Sequence, residues 1–179
     1  MMDAVPTDQK GTDLKRTDPK WTDPKWTDQK WTDQKWTDPA CPVARAVDLV
    51  GDRWSLLIVR DAMDGAASFT DFLGRLGVAR NILSDRLRKL TAHGILATST
   101  PPGAKRHTYQ LTDAGRELFT IIAALRQWGE RHAFAPGEDH SVLTDRDGRE
   151  VPRFHVLDRS GRPVTATTSH VRKVGEQRP

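Results

Sequence analysis

The chain has 179 residues, with 28 Lys and Arg against 24 Asp and Glu, and a formal charge of +4. Its one cysteine, Cys41, excludes an intrachain disulfide framework and any Cys-based zinc site within one chain. No apolar run approaches the ~18 residues of a membrane span, and the N-terminus lacks the apolar stretch of a secretory signal. We therefore expect one domain with extensions, in a reducing cytoplasm and without a membrane partner.

The positive charge is concentrated in the middle of the chain. Residues 41–135 hold 13 basic and 9 acidic side chains, whereas residues 1–40 hold 7 and 8, and residues 136–179 hold 8 and 7. A localised basic excess indicates a polyanionic partner more strongly than a diffuse one does.

Residues 1–40 consist largely of a five-residue repeat. Units of Thr-Asp-Pro/Gln-Lys-Trp place four of the six tryptophans at Trp21, Trp26, Trp31 and Trp36. A period of five fits neither a helix nor a strand, and the prolines of the repeat oppose regular structure. We predict a disordered tail, with weak contact of the tryptophans and lysines to single-stranded nucleic acid as the alternative.

Four helical patterns separated by glycines follow in residues 41–93. Pro42 suits the first position of a helix that Gly51 ends. Asp52 can cap a second helix that runs to Met63, and Ser68 can cap a short third helix over residues 69–76. The fourth pattern covers about residues 79–93 and ends before Gly94.

The fourth helix is polar outside its apolar stripe. Leu83, Leu87 and Leu90 are spaced to face a core. The polar side chains that fall largely off this stripe are Arg80, Asn81, Ser84, Asp85, Arg88 and Lys89. A solvated helix face is the simplest interpretation of such a pattern when it stands alone, so its meaning depends on the elements around it.

Two β-type runs and a long helix complete the central segment. The runs cover residues 95–100 and 107–111, and a Pro/Gly turn with Lys105 and Arg106 at its tip separates them, which predicts a hairpin. A helix from Asp113 to about His132 follows. Its apolar stripe is too broad for one small core, so we predict that the stripe forms a homodimer interface. The stripe comprises Leu118, Ile122, Leu125 and Trp128.

This order of elements predicts a mainly α fold with a small β wing, a winged helix-turn-helix. A short helix, a glycine-containing turn and a second helix meet the needs of major-groove docking. On the second helix, Arg suits guanine and Asn suits adenine. We therefore predict DNA contact by Arg80, Asn81, Ser84, Arg88 and Lys89 on the helix and by Lys105 and Arg106 on the wing.

Residues 136–179 hold short apolar runs broken by two similar turns, Asp147-Gly148-Arg149 and Ser160-Gly161-Arg162. The pattern predicts small hairpins. About 40 residues rarely fold alone without disulfides or metals, so we interpret this piece as an appendage that packs on the dimer.

Several motifs in this order resemble the HxlR-type winged-helix transcriptional regulators, which are related to the MarR group. The similar stretches are Cys41 to Ala44, Gly51 to Ile58, Phe69 to Leu73, Leu83 to Leu96 and Tyr109 to Leu118. The resemblance spans about residues 41–134, roughly half of the chain. Two positions depart from it. Ala79 stands where a Ser or Thr cap is usual, and the wing reads Gly103 to His107 instead of a Pro-Arg-Val-Glu type sequence.

The resemblance implies a bacterial, dimeric, operator-binding regulator that represses or activates transcription. Some members sense oxidants or electrophiles through a cysteine near the N-terminus, which makes Cys41 a candidate redox sensor and implies a small-molecule or oxidant effector. Cys41 lies at a helix start, where free backbone N–H groups favour a thiolate. The alternative is that Cys41 is a small buried residue at the end of the tail.

We therefore interpret the chain as a sequence-specific regulator that binds double-stranded operator DNA as a homodimer. The sequence contains no nucleophile–base constellation, and its histidines show no metal-ligand spacing, so we expect no enzyme activity, cofactor or metal. An enzyme built on residues 136–179 is the weaker alternative. A winged helix that binds only other proteins is the stronger one, but such a helix would tend to expose apolar side chains rather than Arg, Asn and Ser.

Overall fold

The computed structural model of the protein describes residues 34–100, 103 and 106–176. The elements follow the order α1 (Pro42–Val50), α2 (Arg53–Met63), α3 (Phe69–Leu76), α4 (Arg80–Ala92), β1 (Leu96–Ser99), β2 (Thr108–Leu111), α5 (Asp113–Glu117) and α6 (Phe119–His132). All of them belong to one compact unit, Lys35–Pro179. Most of the repeat, residues 1–33, and the predicted DNA-contacting Lys105 lie outside the described residues.

Side-chain caps begin three of these helices where the sequence predicts them. Asp52 accepts hydrogen bonds from the backbone N–H groups of Trp54 and Ser55 at the start of α2. Ser68 and Asp71 form a capping box at the start of α3. Donation from the Ser68 backbone N–H is the main reason that the pKa of Asp71 lies below its ordinary value. The Thr112 hydroxyl accepts from the Gly115 N–H at the start of α5.

The core lies where α2, α3, α4 and β1 meet. The predicted α4 stripe of Leu83, Leu87 and Leu90 is fully buried, together with Ile58 of α2 and Phe72 of α3. Burying side chains of this size contributes about 1.5–3 kcal/mol each before conformational entropy is counted. This core therefore fixes how α4 is presented to solvent.

The wing is an antiparallel pair of strands, as the sequence predicts. β1 pairs with β2 in the register Leu96 to Leu111 and Ser99 to Thr108. The segment before α3 joins its edge, because the Tyr109 N–H donates to the Ala67 carbonyl at 2.7 Å. The wing is thus tied to the start of the helix-turn-helix.

The last helix differs from its predicted form. The sequence predicts one helix from Asp113 to about His132, whereas the structure has α5 and α6 with Leu118 between them. The Leu118 N–H donates to the Gly115 carbonyl, three residues back, so the turn is tighter than an α-helix. Gly115 is pressed against β1, where any Cβ would collide with the Ile95 carbonyl oxygen.

The end of the N-terminal repeat contacts α1. The Thr37 N–H and hydroxyl donate to the two carboxylate oxygens of Asp48 at 2.9 and 2.7 Å, and these bonds lower the pKa of Asp48. The Arg45 guanidinium lies 4.9 Å from the centre of the Trp36 ring. The described fold therefore begins before Cys41.

The C-terminal segment forms the two predicted hairpin turns. Isolated bridges join Thr144 to Glu150 and Leu157 to Pro163. Among the described residues after His132 none is buried, so the segment has no core of its own. It is held to α6 through the amide of Gln127, which donates to the Pro152 carbonyl and accepts from the Phe154 N–H.

Candidate nucleic-acid interface

A three-residue turn joins α3 to α4. Gly77 adopts φ +58°, a left-handed conformation that glycine reaches without a Cβ penalty, and its N–H closes α3 on the Leu73 carbonyl. Val78 is buried and anchors the turn to the core. Ala79 makes no side-chain cap, so no side chain satisfies the first N–H groups of α4.

The exposed face of α4 carries four of the predicted contact residues. Arg80, Asn81, Ser84 and Arg88 are all exposed. At 100° per residue they fall within about 100° of one another around the helix. Because the adjacent stripe of leucines is locked into the core, these side chains project together from one rigid surface.

A cleft of about 490 Å³ joins this helix to the wing. Arg80 from α4 and Arg106 from the wing both line it, and residues at the start of α3 form its third side. Its lining comprises Ser68, Phe69, Thr70, Arg80, Arg106, His107 and Tyr109. The structure thus brings together two cations that the sequence placed on separate elements.

The cleft also contains hydroxyl groups that the sequence analysis did not assign to a site. The Ser68 and Thr70 hydroxyls lie 3.0 Å apart at the N-terminus of α3. Ser68 was recognised only as a helix cap. Its position at the start of the first helix of a helix-turn-helix was the signal that could have marked these hydroxyls as candidates for phosphate contact.

Asp85 forms ion pairs with the other three basic side chains of α4. Its carboxylate lies 2.6 Å from Arg88 Nη2, 3.1 Å from Lys89 Nζ and 3.3 Å from Arg86 Nη1. Hydrogen bonding from Lys89, with a smaller contribution from Arg88, holds the pKa of Asp85 below its ordinary value. Arg86 Nε also lies 3.0 Å from Asp52 Oδ1, so Arg86 links α4 to the start of α2.

The four predicted dimerisation residues separate into two groups. Leu118 and Ile122 are partly buried and pack against the core. Leu125 and Trp128 are 48% and 57% exposed, and Ile121 beside them is 44% exposed. On α1, Val43 and Val47 are also exposed. The exposed large apolar side chains on these two helices are therefore Phe119, Ile121, Leu125 and Trp128 of α6 and Val43 and Val47 of α1.

Cys41 and a nearby cavity are separate features of the same unit. The Cys41 sulfur is partly buried and accepts from the Ala44 N–H at 3.4 Å, in the first turn of α1.

A cavity of about 310 Å³ lies between α2, α6 and residues 134–141, with Leu57, Leu125 and Phe134 among its walls. That volume is at the lower end of the range for small-molecule sites.

The described residues contain no group of three His, Cys, Asp or Glu side chains that could hold a metal ion. In the same part of the chain, no helix is long and apolar enough to cross a membrane.

Comparison with known proteins shows what the chain is similar to. A family model described as HxlR-like helix-turn-helix matches residues 49–135. An uncharacterised helix-turn-helix transcriptional regulator of Mycobacterium tuberculosis is 44% identical over 97 residues, 52% of this chain and 60% of the relative. The chain thus spans about 60% of the length of that relative. A regulator from Synechocystis sp. is 34% identical over 106 residues, 58% of this chain and 78% of the relative.

Two solved structures share the fold. The crystal structure of PA1607, a proposed transcription factor, has a TM-score of 0.73 and 46% identity, and the match covers 75% of this chain and 96% of that chain. The structure of PA1374 from Pseudomonas aeruginosa, also proposed as a transcription factor, has a TM-score of 0.55 and 31% identity, covering 77% and 95%. Both matches are longer than residues 49–135, so the similarity extends beyond the helix-turn-helix.

Proposed function

We infer that this chain, which belongs to the HxlR-like helix-turn-helix family of transcriptional regulators, reads a specific DNA operator as a homodimer in the cytoplasm. The observation that carries this proposal is the position of Arg80. It begins the exposed polar face of α4 and also lines one cleft with Arg106 of the wing. A helix in the major groove and a wing beside it would therefore engage adjacent parts of one duplex.

The α4 face supplies the base contacts in this proposal. Arg80 and Arg88 each offer a guanidinium for the O6 and N7 acceptors of guanine, and Asn81 offers an amide for adenine. Ser84 lies between them and suits either base. Lys89 is further around the helix, at the edge of the DNA-contacting face.

The surrounding groups supply phosphate contacts. Arg106 and Lys105 do so from the wing, and the hydroxyls of Ser68 and Thr70 do so from the start of α3. The uncapped first turn of α4 adds backbone N–H groups beside Arg80. These contacts set the position of the protein on the duplex without reading its sequence.

We assign both DNA binding and dimerisation to residues 41–135, with residues 1–40 as a tail and residues 136–179 as an appendage. The dimer would bury the apolar surface of Ile121, Leu125 and Trp128 together with Val43 and Val47. On α6, Leu125 is about 160° around the helix from the buried Gln127. Its side chain is 48% exposed, so about half of it is available to a second subunit.

Selection of bound fragments from the host genome, followed by sequencing, tests this function. We expect a near-palindromic site whose half-sites are about one helical turn, or a multiple of one, apart, because a two-fold dimer presents two copies of α4. Enrichment of no sequence over random fragments would contradict the proposal and would favour a winged helix that binds only proteins.

We also assign to Cys41 a response to electrophiles, as the family resemblance implies. A quinone would add to the thiolate, forming one C–S bond, and the thiol proton would end on the resulting hydroquinone. Because Cys41 caps α1, the adduct would displace the helix that carries Val43 and Val47, and with it the spacing of the two α4 helices. A small-molecule effector would instead enter the cavity beside Leu125.

Operator binding before and after treatment with a quinone tests the role of Cys41. We expect the treated wild type to lose affinity and to carry one adduct by mass spectrometry, whereas Cys41→Ser keeps its affinity. Equal binding by treated and untreated wild type, with the adduct present, would contradict the response while leaving the DNA-binding proposal intact.

A further inference from the structure

We propose that Asp85 is a specificity-determining residue of α4, which orients Arg88 for base reading and holds Arg88 and Lys89 away from phosphates. This inference rests on the proposed function, since it concerns the same DNA-binding face. It gives a role to a carboxylate on a surface whose predicted DNA contacts are Arg80, Asn81, Ser84, Arg88 and Lys89.

The contacts of Asp85 define the two parts of this role. One carboxylate oxygen, Oδ1, accepts from Arg88 Nη2 at 2.6 Å, and the other, Oδ2, lies 3.1 Å from Lys89 Nζ. A guanidinium has five N–H donors in a planar fork. This single hydrogen bond therefore restrains the Arg88 guanidinium and leaves its other N–H groups available for a base.

The exposure of these side chains allows the ion pairs to rearrange. The side chains of Arg88 and Lys89 are 72% and 48% exposed, and Asp85 is 37% exposed. Surface ion pairs of this kind stabilise a protein little, so stability alone does not explain a carboxylate on a DNA-binding face. The pKa of Asp85 lies below its ordinary value, so the carboxylate stays charged at every pH at which duplex binding is measured.

We therefore expect Asp85 to affect affinity for random DNA and affinity for the operator differently. On a random duplex, phosphate contacts supply nearly all of the affinity. Arg88 and Lys89 contribute less there, because the Asp85 carboxylate competes with phosphates for both side chains. On the operator, an oriented Arg88 meets its base without a further loss of side-chain freedom. Arg80, by contrast, forms no ion pair within the described part of the chain and has no such restraint.

Replacement of Asp85 by asparagine keeps the size of the side chain and removes its charge. For Asp85→Asn we expect affinity for a random duplex to rise roughly three- to tenfold, and the slope of log K against log salt to steepen by about 1–2. Operator affinity should stay the same or fall, because Arg88 loses its orientation. The ratio of operator to random affinity should therefore fall by about tenfold.

Two comparisons make the test specific. Asp113→Asn changes the net charge by the same amount as Asp85→Asn. It removes the acidic partner of Arg116 on α5, in a pair that is also three residues apart but lies outside the cleft. That control should leave the affinity ratio unchanged. If Asp85 acts through Arg88 and Lys89 rather than through Arg86, Asp85→Asn should also have no effect in an Arg88→Ala/Lys89→Ala background.

The outcomes separate this inference from the proposed function. A wild type with no operator preference would overturn both. A preferred operator whose affinity ratio is the same for wild type and Asp85→Asn would overturn only the role of Asp85. A loss of operator affinity that persists without Arg88 and Lys89, with random binding unchanged, would show that Asp85 contacts a base itself and would also overturn the role proposed here.

Discussion

Replacing Arg80 and Arg88 together by alanine is expected to reduce operator affinity roughly 30- to 3 × 10⁴-fold. Each guanidinium that contacts a base contributes about 1–3 kcal/mol. The two residues are eight positions apart on α4, about 12 Å along the helix axis, so their losses should nearly add. Affinity for a random duplex should fall much less, since only phosphate contacts are lost there.

Equilibrium titration with the operator and with a random duplex measures both effects. Arg131→Ala/Arg172→Ala is a matched control, because it removes two exposed charges from outside the α4 face. We expect the control to bind the operator within about threefold of wild type, an effect of less than ~1 kcal/mol. If the Arg80/Arg88 variant binds as tightly as the control, α4 is not the recognition helix.

Leu125→Glu is expected to convert the dimer into a folded monomer that binds the operator at least ~100-fold more weakly. A carboxylate placed in an apolar interface without a partner costs several kcal/mol, and one α4 helix reads only one half-site. Leu125 is 48% exposed in the single chain. The substitution therefore should not disturb the core of the monomer.

Sedimentation and thermal unfolding test this prediction together. Thr120→Glu places the same charge on an exposed position of α6 about 140° around the helix from Leu125 and should remain dimeric. A Leu125→Glu protein that sediments as a dimer would show that the interface lies elsewhere. A wild type that is monomeric at micromolar concentration would contradict dimerisation through this face.

The first four helices were predictable because their signals are local. Asp52 and Ser68 are caps that act within one turn, and Gly77 ends α3 because the turn needs a positive φ. The α4 stripe was equally clear, because Leu83, Leu87 and Leu90 repeat at helical spacing. These features together place the polar face of α4 without knowledge of the tertiary fold.

Features that depend on distant contacts were not predictable in this way. The break at Leu118 reflects the packing of Gly115 against the Ile95 carbonyl, 20 residues away in sequence. The predicted dimerisation stripe comprises Leu118, Ile122, Leu125 and Trp128, and spacing alone did not reveal that Leu118 and Ile122 are the members that pack against the core. Spacing alone did not reveal that a buried Gln127 would face inward to hold Pro152 and Phe154.

The pairing of Asp85 with Arg88 and Lys89 was also missed. All three residues were assigned to one polar face. Arg88 and Lys89 follow Asp85 by three and four positions, a spacing that permits ion pairs. Spacing permits such pairs but does not show which of them form, and in the structure Asp85 contacts Arg86, Arg88 and Lys89 together.

The most direct test of the central claim is to insert five base pairs between the half-sites of the selected operator. Five base pairs are about half a helical turn, so the second half-site moves to the opposite side of the duplex. We expect wild type to lose at least ~100-fold in affinity and a ten-base-pair insertion to restore part of it. Equal affinity for the original and the five-base-pair operator would contradict a dimer that reads DNA through two copies of α4.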